Sequence, residues 1–223
     1  MTRGEKEKGG DIIKVVRESG KNTLDYVIVT HPHADHIGGM AAVISNFKVE
    51  NIFMPRVLHT TKAFENLLNI IGNRGLTIQT AKKGGLVFNF GNLKAEFIAP
   101  EKDRYDDLNN YSAVLMLSYN DKRFLFMGDA EKEVENEILS SGYNVSADIL
   151  KVGHHGSSSS SSDNFIKAVR PAIAVISVGK SNDYGHPSPA VLMTLEKYNA
   201  DIWRTDEKST AIVIYDGAEL SIL

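Results

Sequence analysis

The chain has 223 residues and no cysteine. That absence excludes disulfides and thiolate metal sites, so any metal must be held by nitrogen and oxygen ligands. No apolar run approaches the length of a membrane span. The first ten residues, Met1 to Gly10, are charged and Gly-rich and lack the apolar core of a signal peptide. A cytoplasmic location with no membrane segment is the expectation, although a disulfide-free exported protein has the same features. The net charge of −3 gives no global grip on nucleic acid or an anionic membrane. No basic, aromatic-studded stripe is evident either, and a nuclease would need a local one.

What is present is ordinary for a globular protein: 42% hydrophobic and 24% charged residues. Short β-branched runs alternate with segments of helical period, which indicates an α/β architecture of two halves around a sheet stack. Ile12, Ile13, Val15 and Val16 suit a first helix ended by Gly20, and Leu24–Thr30 a buried strand. A helix through Ala41–Phe47 and a strand over Asn51–Met54 follow. Next comes a helix capped by Thr60 or Thr61 that carries Phe64, Leu67, Leu68 and Ile71. Strands are expected at Thr77–Thr80, Leu86–Phe88, Leu93–Ala99, Tyr111–Tyr119 and Arg123–Met127, with a tight turn at Asn120-Asp121. Alternation then returns, with helices at Glu131–Leu139, Phe165–Val169 and Ala190–Tyr198. Strands lie between and after them at Asp148–Val152, Ala172–Val178, Asp201–Arg204 and Thr210–Tyr215. The six serines Ser157–Ser162 read as a flexible loop before a capped helix. A phosphate-binding role for the first of them is the alternative.

Six of the seven histidines follow three expected strands, three of them after the first, two after the second and His186 after the third, where α/β folds place ligands and catalytic groups. The first group is His31-Pro32-His33-Ala34-Asp35-His36. So many adjacent polar side chains cannot be buried without partners. Two neighbouring metal ions would satisfy them through imidazole nitrogen and carboxylate oxygen. The second element is Gly128-Asp129 at the end of an apolar strand, where Asp129 either bridges two metals or caps the next helix. The third is Gly153-His154-His155-Gly156-Ser157. One histidine is expected to ligate metal and the other to act on a substrate oxyanion or leaving group. His186 is placed as a substrate contact or a further ligand, against a structural role bracing the helix after Pro189. His59 stands alone and reads as a surface or capping histidine.

These residues resemble the metallo-β-lactamase superfamily, whose hallmark is the H-x-H-x-D-H loop. More narrowly, they resemble the branch that includes the C-terminal hydrolase domain of the competence protein ComEC and its soluble stand-alone relatives. The matching stretches are THPHADHIGG (30–39), NNYSAVLML (109–117), FLFMGDAE (124–131), ADILKVGHHGSSSSS (147–161) and NDYGHPSPAVL (182–192). The resemblance implies an αββα sandwich over residues 1–223, with two zinc ions at one edge; manganese or iron are also compatible with such ligands. It places His31, His33, Asp35, His36, Asp129 and His154 on the metals. Asp35 and His155 become the catalytic groups, and Ser112, Ser157 and His186 the substrate contacts.

Two departures stand out. A third-motif histidine is missing, since residues 57–127 hold only His59 and Asn110-Tyr111-Ser112 stands in its place. That disfavours a β-lactamase or glyoxalase and leaves the first metal with fewer protein ligands. The two opening strands of the relatives are also absent, the sequence starting with Met1-Thr-Arg-Gly4 where a turn should end. An open sheet edge would favour a homo-oligomer or strand-exchanged dimer. The expected activity is phosphoester hydrolysis, of a small molecule or of nucleic acid. Hydrolysis of a carboxylic ester, lactone or thioester is the alternative, as is a metal-binding module without catalysis.

Overall fold

A computed structural model describes residues 3–223, with side chains from residue 10 onward. Met1 and Thr2, part of the expected turn remnant, lie outside the described residues, and Arg3 and Gly4 open a helix instead. The chain divides into two compact units, Met1–Ala81 and Lys82–Leu223.

The first unit contains α1 (Arg3–Glu18), β1 (Thr23–Ile28), α2 (Ala34–Ile37), α3 (Met40–Asn46), β2 (Lys48–Met54), α4 (Lys62–Asn73) and β3 (Ile78–Thr80). Its sheet is parallel, in the order β1-β2-β3, so each strand must return through a helical crossover. Val27, Val29, Ile52 and Met54 pack against Ile37, Ile44, Phe64, Leu67 and Ile71. The last three recur at helical spacing along α4 and give it a single buried face. Thr61 is the N-cap of α4, its hydroxyl accepting from the Phe64 N–H at 3.4 Å, so His59 does not cap this helix.

The second unit contains β4 (Leu86–Phe90), β5 (Leu93–Ala99), β6 (Val114–Tyr119), β7 (Lys122–Phe126), α5 (Lys132–Ser140), β8 (Ile149–Lys151) and α6 (Asp163–Val169). It continues with β9 (Ile173–Ile176), α7 (Pro189–Lys197), β10 (Asp201–Arg204), α8 (Thr205–Lys208), β11 (Val213–Tyr215) and β12 (Leu220–Ile222). Seven strands follow one another in space from β4 to β10, antiparallel up to β7 and parallel beyond it. The helices α5, α6 and α7 supply Val134, Ile138, Phe165, Ile166 and Leu195 to a core shared with Leu125, Leu150, Val152, Ala174 and Ile176 of the sheet region. The β6–β7 turn falls at Asn120 as expected, in the left-handed region at φ 52°.

Three expectations are corrected. The strand expected over Tyr111–Tyr119 starts only at Val114, because Leu108–Tyr111 is a 3₁₀ turn whose Asn109 N–H is held by the Asp107 carboxylate at 2.8 Å. A second terminal strand, β12, pairs antiparallel with β11; its three residues are too few to show a period in the sequence.

The serine tract is not a loose loop. Ser157, Ser160 and Ser161 are buried, and the Ser160 hydroxyl donates to the Gly153 carbonyl at 2.8 Å. The N–H groups of Ser161 and Ser162 both donate to the buried carboxylate of Glu135, the second at 2.9 Å. Ser162 then caps α6, its hydroxyl accepting from Phe165 N–H. Serine suits such a plug because its short hydroxyl satisfies backbone groups locally.

Glu135 therefore ties α5 to this loop. Burial pushes its carboxyl above the ordinary value of 4.5, while the Ser162 hydroxyl and the two N–H groups pull it back. Replacing it with alanine orphans two buried donors and should cost about 1–3 kcal/mol in urea unfolding. An acid whose pKa is raised by folding binds its proton more tightly in the native state. Its contribution to stability is thus lost as pH rises from 4.5 through the raised value. The stability difference between wild type and Glu135→Gln should accordingly decline over that window and then level off. A pH-independent difference would contradict this placement.

Candidate functional site

In the first unit, β1 runs out into Val29-Thr30 and delivers the histidine segment to the start of α2. His33 is the residue before α2, in extended backbone, and Asp35 and His36 lie in its single turn. This tight geometry gathers the imidazoles: the His31 ring centroid is 4.9 Å from that of His33 and 4.1 Å from that of His36. The Thr30 hydroxyl lies 3.2 Å from His31 Nδ1. The Asp35 carboxylate oxygen stands 3.3 Å from His36 Nε2. His59 is not isolated, since its ring is 6.3 Å from that of His33 and edge-on to Phe64 at 6.1 Å.

In the second unit, β7 ends at Phe126, and Asp129 follows, buried. Ser112 accepts the Asp129 N–H at 2.9 Å and is itself fully buried, which places it behind Asp129 as a support for its backbone. Asp129 is not a helix cap, because the N-cap position of α5 belongs to Glu131.

β8 leads to Gly153-His154-His155-Gly156, where both histidines adopt left-handed backbone at φ 45° and 52°. Non-glycine residues hold that conformation only when their surroundings enforce it. The glycines on either side are closely confined. A Cβ on Gly153 would meet the Ala130 carbonyl oxygen at 2.9 Å, and one on Gly156 would meet Pro187 Cβ at 2.6 Å.

The two histidines face different carboxylates. His154 Nδ1 lies 3.1 Å from Glu131 Oε1, which also accepts from the Ser159 hydroxyl at 2.7 Å and from Asn109 Nδ2 at 3.4 Å. A carboxylate can only accept, so Nδ1 carries the proton and Nε2 is left with its lone pair. His155 Nδ1 lies 2.6 Å from the Ser177 carbonyl oxygen, which fixes the same tautomer. Its Nε2 lone pair is then directed at Asp129 Oδ2, 3.4 Å away. Two acceptors held face to face in a buried place require a positive centre between them, a proton or a metal ion.

The donor chemistry fits a divalent ion. Zinc–nitrogen and zinc–oxygen bonds of about 2.0–2.2 Å at a tetrahedral angle span a nitrogen–oxygen edge of about 3.3–3.5 Å. The Asp129–His155 pair has an edge of 3.4 Å and the Asp35–His36 pair one of 3.3 Å.

Of the other expected substrate contacts, Ser157 is buried and bonded within its loop, its hydroxyl 2.9 Å from that of Ser159. His186 stays partly open, with its ring centroid 5.6 Å from that of His154 and stacked on the exposed Tyr184. Burial, then repulsion from His154 and His155 when these are protonated, holds its pKa below the ordinary 6.5. Asn182 fixes its backbone, accepting the His186 N–H at 3.0 Å and donating to its carbonyl at 2.7 Å.

Sequence reasoning missed Glu131 and Thr30. A signal for Glu131 existed, a second carboxylate two residues beyond Asp129, but its partner His154 is 23 positions away.

Gly156→Ala adds a left-handed penalty of about 1–2 kcal/mol to an overpacking cost of about 1–3 kcal/mol. Chemical denaturation should register a loss of about 2–5 kcal/mol; an unchanged midpoint would contradict the close approach to Pro187.

Residues 9–180 match the family described as the metallo-beta-lactamase superfamily. The ComE operon protein 3 of Bacillus subtilis is 34% identical over 199 residues, covering 89% of this chain and 26% of that protein. Competence protein ComA of Neisseria gonorrhoeae is 30% identical over 198 residues, covering 87% and 26%. Recombination protein 2 of Haemophilus influenzae is 27% identical over 182 residues, covering 82% and 21%. The chain thus spans about a quarter of the length of these curated relatives. Among solved structures, CmlA, a diiron β-hydroxylase from Streptomyces venezuelae, aligns with a TM-score of 0.55 at 11% identity, covering 82% of this chain and 44% of that one. At that identity the likeness shows a shared fold alone.

Proposed function

The chain belongs to the metallo-β-lactamase superfamily, and from that premise we propose that it is a metal-dependent hydrolase of phosphoester bonds. The observation that carries this reading is the pairing of a carboxylate oxygen with an imidazole nitrogen at 3.3 Å and 3.4 Å in the two histidine clusters. The names of two of its relatives, a competence protein and a recombination protein, support phosphodiesters, nucleic acid among them, as the substrate class.

In this reading the metal ligands are His31, His33, Asp35 and His36 in the first unit and Asp129 and His155 in the second. This moves the ligand role from His154 to His155, the histidine whose Nε2 faces Asp129. Zinc suits such nitrogen and oxygen donors, as do manganese and iron. When bound, a pair of divalent ions supplies Lewis acidity and acidifies water enough to make it a nucleophile near neutral pH.

The chain's own groups do the rest. Asp35, with half of its side chain exposed, orients the attacking water and accepts its proton. His154 keeps Nδ1–H on Glu131 and presents Nε2 to the leaving oxygen. The carboxylate stabilises the imidazolium form that donates the proton there. His186 stands beside it, within reach of a non-bridging oxygen. β1 lies at the edge of its sheet, which supports the expected self-association through strand pairing.

With added zinc or manganese, the wild type should hydrolyse bis(p-nitrophenyl) phosphate, and His33→Ala or Asp129→Asn should abolish turnover. Glu131→Gln should lower kcat by at least about 10²-fold, the share of a well-placed general acid. Undiminished turnover in His33→Ala or Asp129→Asn, with folding intact by circular dichroism, would contradict the assignment.

A further inference from the structure

The face of the seven-stranded sheet opposite α5–α7 holds a cavity of about 470 Å³ that hydrolysis does not use. Strand alternation decides its lining. Leu125, Leu150 and Ala174 turn to the helical core, so Phe124, Phe126, Ile149 and Val175 turn the other way. The β11–β12 hairpin closes the opposite side with Val213 and Tyr215, while Ile212 and Ile214 point to solvent. The volume falls among those of small-molecule sites, about 300–1,000 Å³.

One charged side chain stands in this wall. Lys151 is in register with Phe126 on one neighbouring strand and Val175 on the other. Its Nζ donates to the Val152 carbonyl at 2.9 Å, and no ion pair holds it among the described residues. Burial lowers its pKa below the ordinary lysine value, against the opposing pull of Asp129. With a carbonyl as its hydrogen-bond partner and Asp129 acting on it only through space, a cation in a wall of aliphatic and aromatic groups gains from an anion placed directly on Nζ. The surrounding surface asks for the opposite, an apolar body.

We propose that this cavity binds a linear amphiphile with one anionic head, a medium-chain carboxylate, with its head group on Lys151 Nζ and its chain along Phe124, Phe126 and Val213. The charge complementarity of Lys151 selects this occupant over a neutral chain. A wholly apolar occupant of the same face would leave the lysine without that added anion.

The test is calorimetric titration of the full chain with dodecanoate and with dodecanol, below their aggregation limits, with and without zinc. One dodecanoate should bind per chain with the same affinity in both conditions. Dodecanol should bind at least tenfold more weakly. Lys151→Met, which keeps the side-chain volume and removes the charge, should weaken dodecanoate at least tenfold; Lys151→Gln serves if the methionine variant does not fold. Val213→Trp, which fills the cavity from the hairpin, should abolish binding. The proposal is overturned by absence of saturable binding, by equal affinity for dodecanol, or by undiminished affinity in the folded lysine variant. It is equally overturned if binding requires zinc, which would place the carboxylate on a metal. A dimer in light scattering that dodecanoate leaves intact, with no uptake of the acid, would give the face to a second copy.

Discussion

A carboxylate and an imidazole lone pair repel unless something positive lies between them, and this chain builds that situation at Asp129–His155. At Asp129–His155 the tautomer is settled by a backbone carbonyl, Ser177 O, on the far side of the ring. At Asp35–His36 a carboxylate and an imidazole also lie side by side, in one turn of α2. A pair whose carboxylate is buried, as that of Asp129 is, is destabilising on its own and favourable around a cation. Much of the surrounding architecture can be understood as holding these groups in place against that repulsion.

The second unit shows how. Two consecutive left-handed histidines would relax if the backbone were free. Gly153 lies close against the Ala130 carbonyl and Gly156 close against Pro187, so the backbone on both sides of them is confined. Behind them the serine tract is locked to Glu135, and the Ser159 hydroxyl shares Glu131 with His154. Ser112 holds the Asp129 backbone from the other side. The network runs from a helix, through a loop of short hydroxyl side chains, to the ring of His154, and each step is a hydrogen bond. This matches the general need of a polar site for supporting groups that orient the reactive ones.

Much of this was legible from the sequence. Alternating apolar runs located most strands and helices, and β5 and β10 match the expected bounds. The H-x-H-x-D-H spacing, Gly128-Asp129 and the paired histidines marked the candidate site because they are local in the chain. What was not legible depends on partners far apart in sequence. His154 and His155 are chemically identical neighbours, and only their contacts with Glu131 and Asp129, more than 20 positions away, distinguish them. The serine tract looked like a linker because composition does not reveal that Glu135, on a separate helix, meets its N–H groups. The 3₁₀ turn before β6 was missed for a similar reason: Asn109 and Asn110 are buried against Glu131 and Glu133, which a periodicity argument cannot foresee.

The most direct test of this account is a crystal structure of the zinc-loaded chain with anomalous data at the zinc edge. An ion bonded to both Asp129 and His155 Nε2, at about 2.0–2.2 Å, with His154 still hydrogen-bonded to Glu131, is the predicted result. A zinc ion ligated by His154, with His155 joined to Asp129 by a proton alone, would contradict it.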